Sequence, residues 1–176
     1  MKIDKPGQHL DHMLRGTRWH HVQLSTMADM KANMLLTMSA VVITLATPHV
    51  FQSGTHWPFL ILIIFSLVTV CLAAYAVMPK LMLSQKDQPA AEIGSPNFNL
   101  LFFGDFVHLP YSKFETAMGE MMNDHDRVYE AQVREIYLLG IYLARKKYRI
   151  IRLAYISFIT GLFTSFVFML LSAVLR

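Results

Sequence analysis

Charge is scarce in this sequence and unevenly placed. Only 16% of the 176 residues are Asp, Glu, Lys or Arg, against roughly 25% in soluble domains. Residues 34–78 carry no charged side chain, and neither do residues 153–175. Two apolar blocks of that length cannot both be core segments of so small a soluble domain, so a soluble protein is excluded. Cysteine is nearly absent: Cys71 stands alone inside the first block, which excludes a disulfide framework and a cysteine metal site. There is no Gly-rich phosphate loop ahead of a helix, no His-Glu-x-x-His and no nucleophile elbow. The acidic residues form no pair suited to acid/base work, so neither an enzymatic activity nor a cofactor is expected. His9 and His12 lie one turn apart with His20 and His21 beyond them. No third ligand accompanies them, and an exposed polar helix is expected rather than a metal site. A secretory signal is excluded because more than thirty residues precede the apolar run and no small-residue cleavage pattern follows it.

What is present begins with the stretch over residues 25–47, which holds no Gly or Pro. Its first third is polar and the remainder apolar. At helical spacing Ser25, Asp29, Asn33, Thr37, Ala40, Thr44 and Thr47 fall on one face, with Met27, Met30, Met34 and Met38 on a neighbouring one. Polar groups in hydrocarbon need partners. Asp29, Asn33, Thr37 and Thr44 are therefore candidates to line a pore or the inside of a bundle. A plainer reading has Lys31 snorkelling to the headgroups and Asn33 bonding a neighbouring helix.

Pro48 and the polar patch Gln52-Ser-Gly-Thr-His56 split the first apolar block into helices over about 33–50 and 57–78. Trp57 sits at interface level and Pro58 in a first turn that tolerates it. A third span covers 153–175, each being close to the ~20 residues that cross a bilayer. Ser66, Thr69, Ala73 and Ala76 line one face of the second span, and Ser157, Gly161 and Ser165 one face of the third. Small residues in register let membrane helices approach closely. Three helices cannot enclose an aqueous path of any width, so a pore requires a homo-oligomer.

Five basic residues precede the first span, none separates the first two, and ten lie between Lys80 and Arg152. The positive-inside rule then predicts a cytoplasmic N-terminus (1–32), a cytoplasmic helical portion (80–152) and a C-terminus outside. The pI near 9.3 points to anionic lipid or an anionic ligand on the inner leaflet rather than to nucleic acid.

Residues 1–7 look frayed; within the middle portion 85–96 read as a loop and the aromatic run over 97–106 as a turn. Leu101, Phe102 and Phe103 are expected to pack onto neighbouring helices. Ser112 with Glu115 predicts a capping box opening a helix that ends near Met122. Asp124 or Asp126 caps the next one. From Arg127 a seam of Tyr129, Val133, Ile136, Gly140 and Leu143 runs without a stop through Arg145-Lys-Lys-Tyr-Arg149 into the third span. A helix of about fifty residues, on the order of 75 Å, is expected. The fold class is all-α: three transmembrane helices with a helical cytoplasmic portion. The basic cluster reads first as a lipid-headgroup anchor and second as a phosphate site, with Tyr137, Tyr142 and Tyr148 available to stack on a base.

Three stretches then carry a resemblance. They are Met27-Ala-Asp-Met-Lys-Ala-Asn33, Asn99-Leu-Leu-Phe-Phe-Gly104, and Glu135-Ile-Tyr-Leu-Leu-Gly140 followed by Lys147-Tyr-Arg149. In order and spacing they resemble the transmembrane effector of the bacterial Pycsar anti-phage systems, over nearly the whole chain from Trp19 onward. Asp105 departs from the His that family members often carry there. The resemblance implies an inner-membrane effector that answers cyclic CMP or cyclic UMP, made by a neighbouring pyrimidine cyclase, by damaging the membrane. It hands over no mapped nucleotide pocket. Candidates for ligand contact are Phe103, Arg134, Tyr137, Lys147, Tyr148 and Arg149. A non-conducting adaptor docking a soluble partner and a constitutive small channel subunit are the alternatives.

Overall fold

The computed structural model describes residues 1–51, 56–78, 93 and 98–174. Among these the regular elements are all helical: α1 (Gln8–Val50), α2 (Trp57–Val77), α3 (Phe103–Phe106), α4 (Tyr111–Met122), α5 (His125–Ile141) and α6 (Tyr148–Val174). A π-helical turn, Tyr142–Lys147, joins α5 to α6. Three runs are long and apolar enough to cross a membrane: α1, α2, and the 50 residues His125–Val174. The expected all-α, three-span architecture is therefore present, and the last helix runs unbroken into its span. The chain forms two compact units, residues 1–23 with 79–142, and residues 24–78 with 143–176.

The second unit holds the spans. Its core is Ala28, Ala32 and Leu35 from α1, Ala73 and Ala76 from α2, and Ile151, Ala154 and Phe158 from α6. Lipid supplies no hydrophobic drive for helices to associate, so close packing and hydrogen bonds must do it. The predicted small faces do meet. Ser66, Thr69, Ala73 and Ala76 are the buried stripe of α2, and Gly161 and Ser165 are buried on α6. Ser165 Oγ donates to the Pro58 carbonyl at 2.8 Å, and Ser157 Oγ to that of Phe65 at 3.3 Å. His49 stacks on Phe59, ring centroids 4.7 Å apart, tying the end of α1 to the start of α2.

The first unit departs from the sequence expectations in three places. Residues 1–7 are docked rather than frayed: the Ile3 N–H donates to Asp126 Oδ1 at 2.8 Å, and the Met1 ammonium pairs with Glu130 at 2.9 Å. Ser112 caps nothing. Pro110 is the N-cap of α4, and its carbonyl accepts from the Lys113 and Phe114 N–H groups. The extended backbone of Pro110 starts the helix two residues before the serine could act. Finally, Phe98 and Leu100 are the buried members of the aromatic run, packed with Ala117, whereas Phe102 and Phe103 are 37% and 57% exposed. Asn99 explains this. Its N–H donates to Asp105 Oδ2 and its own Oδ1 accepts from the Leu101 N–H, an Asx turn that reverses the chain. Its two neighbours turn inward, and the later phenylalanines emerge.

Other expectations hold. Asp124 caps α5, accepting from the Asp126 and Arg127 N–H groups. Along the seam Tyr129 and Leu143 are buried, while Val133 lies more open at 39%. The predicted loop over 85–96 falls, except for Ile93, outside the described residues. Tyr129 donates to Asp11 Oδ1 at 2.9 Å, and Arg18 reaches Glu135 at 3.0 Å, so α1 and α5 are also joined by polar contacts.

Two predictions follow from this packing. A Cβ on Gly161 would lie 2.4 Å from Phe65 Cβ, and a Cβ cannot swing aside. Gly161→Ala therefore forces α2 and α6 apart. The overpacking cost of about 1–3 kcal/mol outweighs the ~1 kcal/mol gained in helix propensity, so thermal unfolding in mild detergent should come earlier. An unchanged or raised midpoint would contradict the contact. The second concerns pH. The hydrogen bond to Asp11 raises Tyr129 above its ordinary value of 10.0, and the Met1 ammonium, helped by Arg134, lowers Glu130 below its ordinary 4.5. By linkage the tyrosine contribution is complete below about pH 10 and lost as pH rises through the folded value. That of Glu130 is complete above about pH 4.5 and lost as pH falls through its folded value. Amide exchange over residues 8–18 should accelerate at both extremes, and Tyr129→Phe should abolish the alkaline limb.

Candidate functional site

The polar centre of the second unit lies where the charged parts of α1 and α6 give way to their apolar parts. On α1, Ser25 and Asp29 are one turn apart and face the same way. On the other side Lys147 closes the π-helical turn and opens the buried stripe of α6, which continues through Ile151, Ala154, Phe158, Gly161 and Ser165. Its Nζ donates to Asp29 Oδ2 at 2.7 Å and to Ser25 Oγ at 2.7 Å. Beside it the Tyr148 hydroxyl donates to the Leu24 carbonyl at 3.1 Å. π-Helical turns within α-helices are found often at functional positions, and this one delivers a lysine to a place that is only 7% exposed.

The pair is asymmetric. Lys147 is buried, while the Asp29 side chain is 41% exposed. An ammonium out of water costs several kcal/mol unless a charge and further hydrogen bonds compensate it. Asp29 and Ser25 supply both. The carboxylate keeps access to solvent, which screens its own share of the attraction.

The structure distributes the other sequence candidates as follows. Asn33, Thr37 and Thr44 are exposed on α1. The Thr37 hydroxyl donates to the Asn33 carbonyl and that of Thr44 to the Ala40 carbonyl. The face of α1 that packs on its neighbours is instead Ala28, Ala32, Leu35, Ser39 and Ala46, about one residue round from the polar stripe. Ser39 Oγ is buried there without a hydrogen-bond partner among the described residues. Of the six ligand candidates, Phe103, Arg134 and Tyr137 belong to the first unit, and Lys147, Tyr148 and Arg149 to the second. Arg134 is paired with Glu130 at 3.0 Å, Tyr137 is 65% exposed, and Arg149 is exposed. None lines the shallow depression of about 320 Å³ bounded by Ile93, Ser112, Lys113, Thr116, Ala117 and Glu120. Sequence reasoning missed the coupling of Lys147 to Asp29. The one available signal was that Ser25 and Asp29 share a helix face.

Removing one member of this pair should cost more than removing the other. Asp29→Ala strands a buried ammonium and should destabilise by about 3 kcal/mol. Lys147→Met places an apolar chain of similar length against Ile151 and frees a carboxylate that water already reaches, so its cost should be under about 1 kcal/mol. Thermal unfolding of both variants and of the double variant measures this. Equal costs would mean that the lysine is not compensated by Asp29.

Comparison with known families gives one result. The profile described as PycTM, the Pycsar effector protein domain, matches residues 12–175. No curated protein matches the chain. No solved structure matches it either.

Proposed function

The chain belongs to the Pycsar effector family, an effector of anti-phage defence rather than a cyclase, and from that premise we propose that it converts a cyclic pyrimidine nucleotide signal into membrane damage. In this reading it is an inner-membrane protein with its N-terminus and the portion over 80–152 in the cytoplasm and its C-terminus in the periplasm. A pyrimidine cyclase supplies cyclic CMP or cyclic UMP on infection. The phosphodiester is met within the second unit by Lys147, with Tyr148 beside it.

The observation that carries the mechanism is the Lys147–Asp29 pair. A phosphodiester monoanion competes with Asp29 for the ammonium. Binding that releases Asp29 lets α1 move against α6. A ligand shifts such an equilibrium only as far as it prefers the released arrangement, and the competition supplies that preference. Copies of the chain then meet through the exposed α1 face bearing Asn33, Thr37 and Thr44, where the Asn33 amide gains a partner from the next copy and the two hydroxyls, already donating to carbonyls one turn back, can still accept. Ion flow along that face, or loss of bilayer order around it, kills the cell before the phage matures.

Proteoliposomes loaded with a self-quenched dye test this. Leakage should appear on adding cyclic CMP or cyclic UMP and stay at background with cyclic AMP. Asn33→Leu with Thr37→Val should abolish it without lowering the unfolding midpoint. No leakage with either pyrimidine nucleotide would refute the reading, and equal leakage without nucleotide would establish a constitutive channel instead.

A further inference from the structure

The basic residues at the start of α6 do not share one fate. Lys147 is turned inward and neutralised by Asp29. Arg145, Lys146, Arg149 and Arg152 are exposed, and none makes an ion pair among the described residues. Elsewhere Arg18 reaches Glu135, Arg127 reaches Glu120 and Asp124, and Arg134 reaches Glu130, while Arg15 is exposed and unpaired among the described residues. What sets the four at the start of α6 apart is that they cluster within eight residues with no acidic side chain among them.

Their placement shows what they face. Arg145, Arg149 and Arg152 recur at steps of four and three, on one side of the helix. That side continues directly into Leu153, Ile156, Ile159 and Phe163, which are 47%, 49%, 60% and 68% exposed on the membrane span. The level is fixed independently. The 2.7 Å contact sets Lys147 beside Asp29, and from there α1 and α6 both enter their apolar parts. Lys31, two residues beyond Asp29, is therefore level with Arg149, and it too is exposed and unpaired among the described residues. Five cations thus form a belt around the point where both helices leave water.

We infer that Lys31, Arg145, Lys146, Arg149 and Arg152 bind the phosphodiester headgroups of anionic phospholipids such as phosphatidylglycerol. The chemistry recognised is a phosphate monoanion, which planar guanidinium groups bind by paired N–H donors. A lipid is favoured over a free phosphodiester because the cations are exposed and continuous with a lipid-facing apolar stripe, so acyl chains and headgroup are engaged by one surface. This inference rests on the unpaired belt and not on nucleotide gating.

The test uses the full chain purified in mild detergent. Native mass spectrometry counts phosphatidylglycerol and phosphatidylcholine retained by the wild type and by the triple variant Arg145→Gln, Arg149→Gln, Arg152→Gln. Each basic residue at a membrane surface contributes roughly a fivefold factor in affinity for anionic lipid, on the order of a hundredfold for three. The wild type should retain phosphatidylglycerol over phosphatidylcholine, with retention falling as salt rises, and the triple variant should lose that preference. Because these side chains hold no ion-pair partner among the described residues, the variant should keep its helical circular dichroism and its unfolding midpoint in detergent alone. Conservative Arg→Lys changes at the three positions should restore most of the preference. Equal retention of the two lipids by the wild type, or undiminished preference in a folded triple variant, overturns the inference. Displacement of bound phosphatidylglycerol by millimolar cyclic CMP or cyclic UMP also overturns it, and assigns the belt to the free phosphodiester. Loss of dye leakage in the triple variant is not a readout here, so nucleotide gating and lipid binding can fail separately.

Discussion

An ammonium that cannot reach water sets the terms for the membrane half of this protein. Lys147 lies on the face of α6 that packs inward, and among the described residues its carboxylate partner comes from α1. Wherever the two helices are in contact, Asp29 must stand beside Lys147, since any slip along the axis leaves a buried charge unpaired. Packing of alanines and a leucine tolerates small displacements, whereas a hydrogen-bonded ion pair does not. The pair therefore fixes the register between the first and last spans.

Above that level the bundle is held in another way. α2 and α6 approach through Gly161, Ser165, Ser66 and Thr69, with serine hydroxyls donating to carbonyls across the contact. Such bonds are modest individually, but in hydrocarbon no water competes for them. The approach is close enough that the side chain of Phe65 occupies the space a Cβ on residue 161 would need. A register set by charge at one end and by shape along the length gives α2 and α6 little freedom. The face of α1 that carries Asn33, Thr37 and Thr44 takes no part in this packing.

The unit built from the N-terminal segment and the middle of the chain follows soluble-protein rules. Its contacts are those of an aqueous surface: Arg18 with Glu135, Tyr129 with Asp11, Arg134 with Glu130. The motif from Asn99 to Gly104 has a structural account, because Asn99 and Asp105 close a turn on each other. A carboxylate serves that purpose here.

Much of this was legible in the amino-acid order. The three spans follow from charge-free runs, and the faces of α2 and α6 from the spacing of small residues, because burial in lipid leaves a periodic mark on composition. The Asp124 cap was legible for the same local reason, a side chain acting on the next turn. The Ser112 capping box failed because Pro110, a residue outside that pattern, ended the extended chain sooner. The inward turn of Phe98 and Leu100 was hidden because Asn99 and Asp105 had to meet first. Least visible was the site itself. Asp29 and Lys147 are separated by 118 positions, and in the sequence Lys147 is one of five basic residues within eight, indistinguishable from its neighbours. Sequence alone settled how many helices are long and apolar enough to cross a membrane and which faces of α2 and α6 are hidden, since those depend on local chemistry. Tertiary structure decided which cation is buried and which face of α1 is covered, because both depend on what another helix brings alongside.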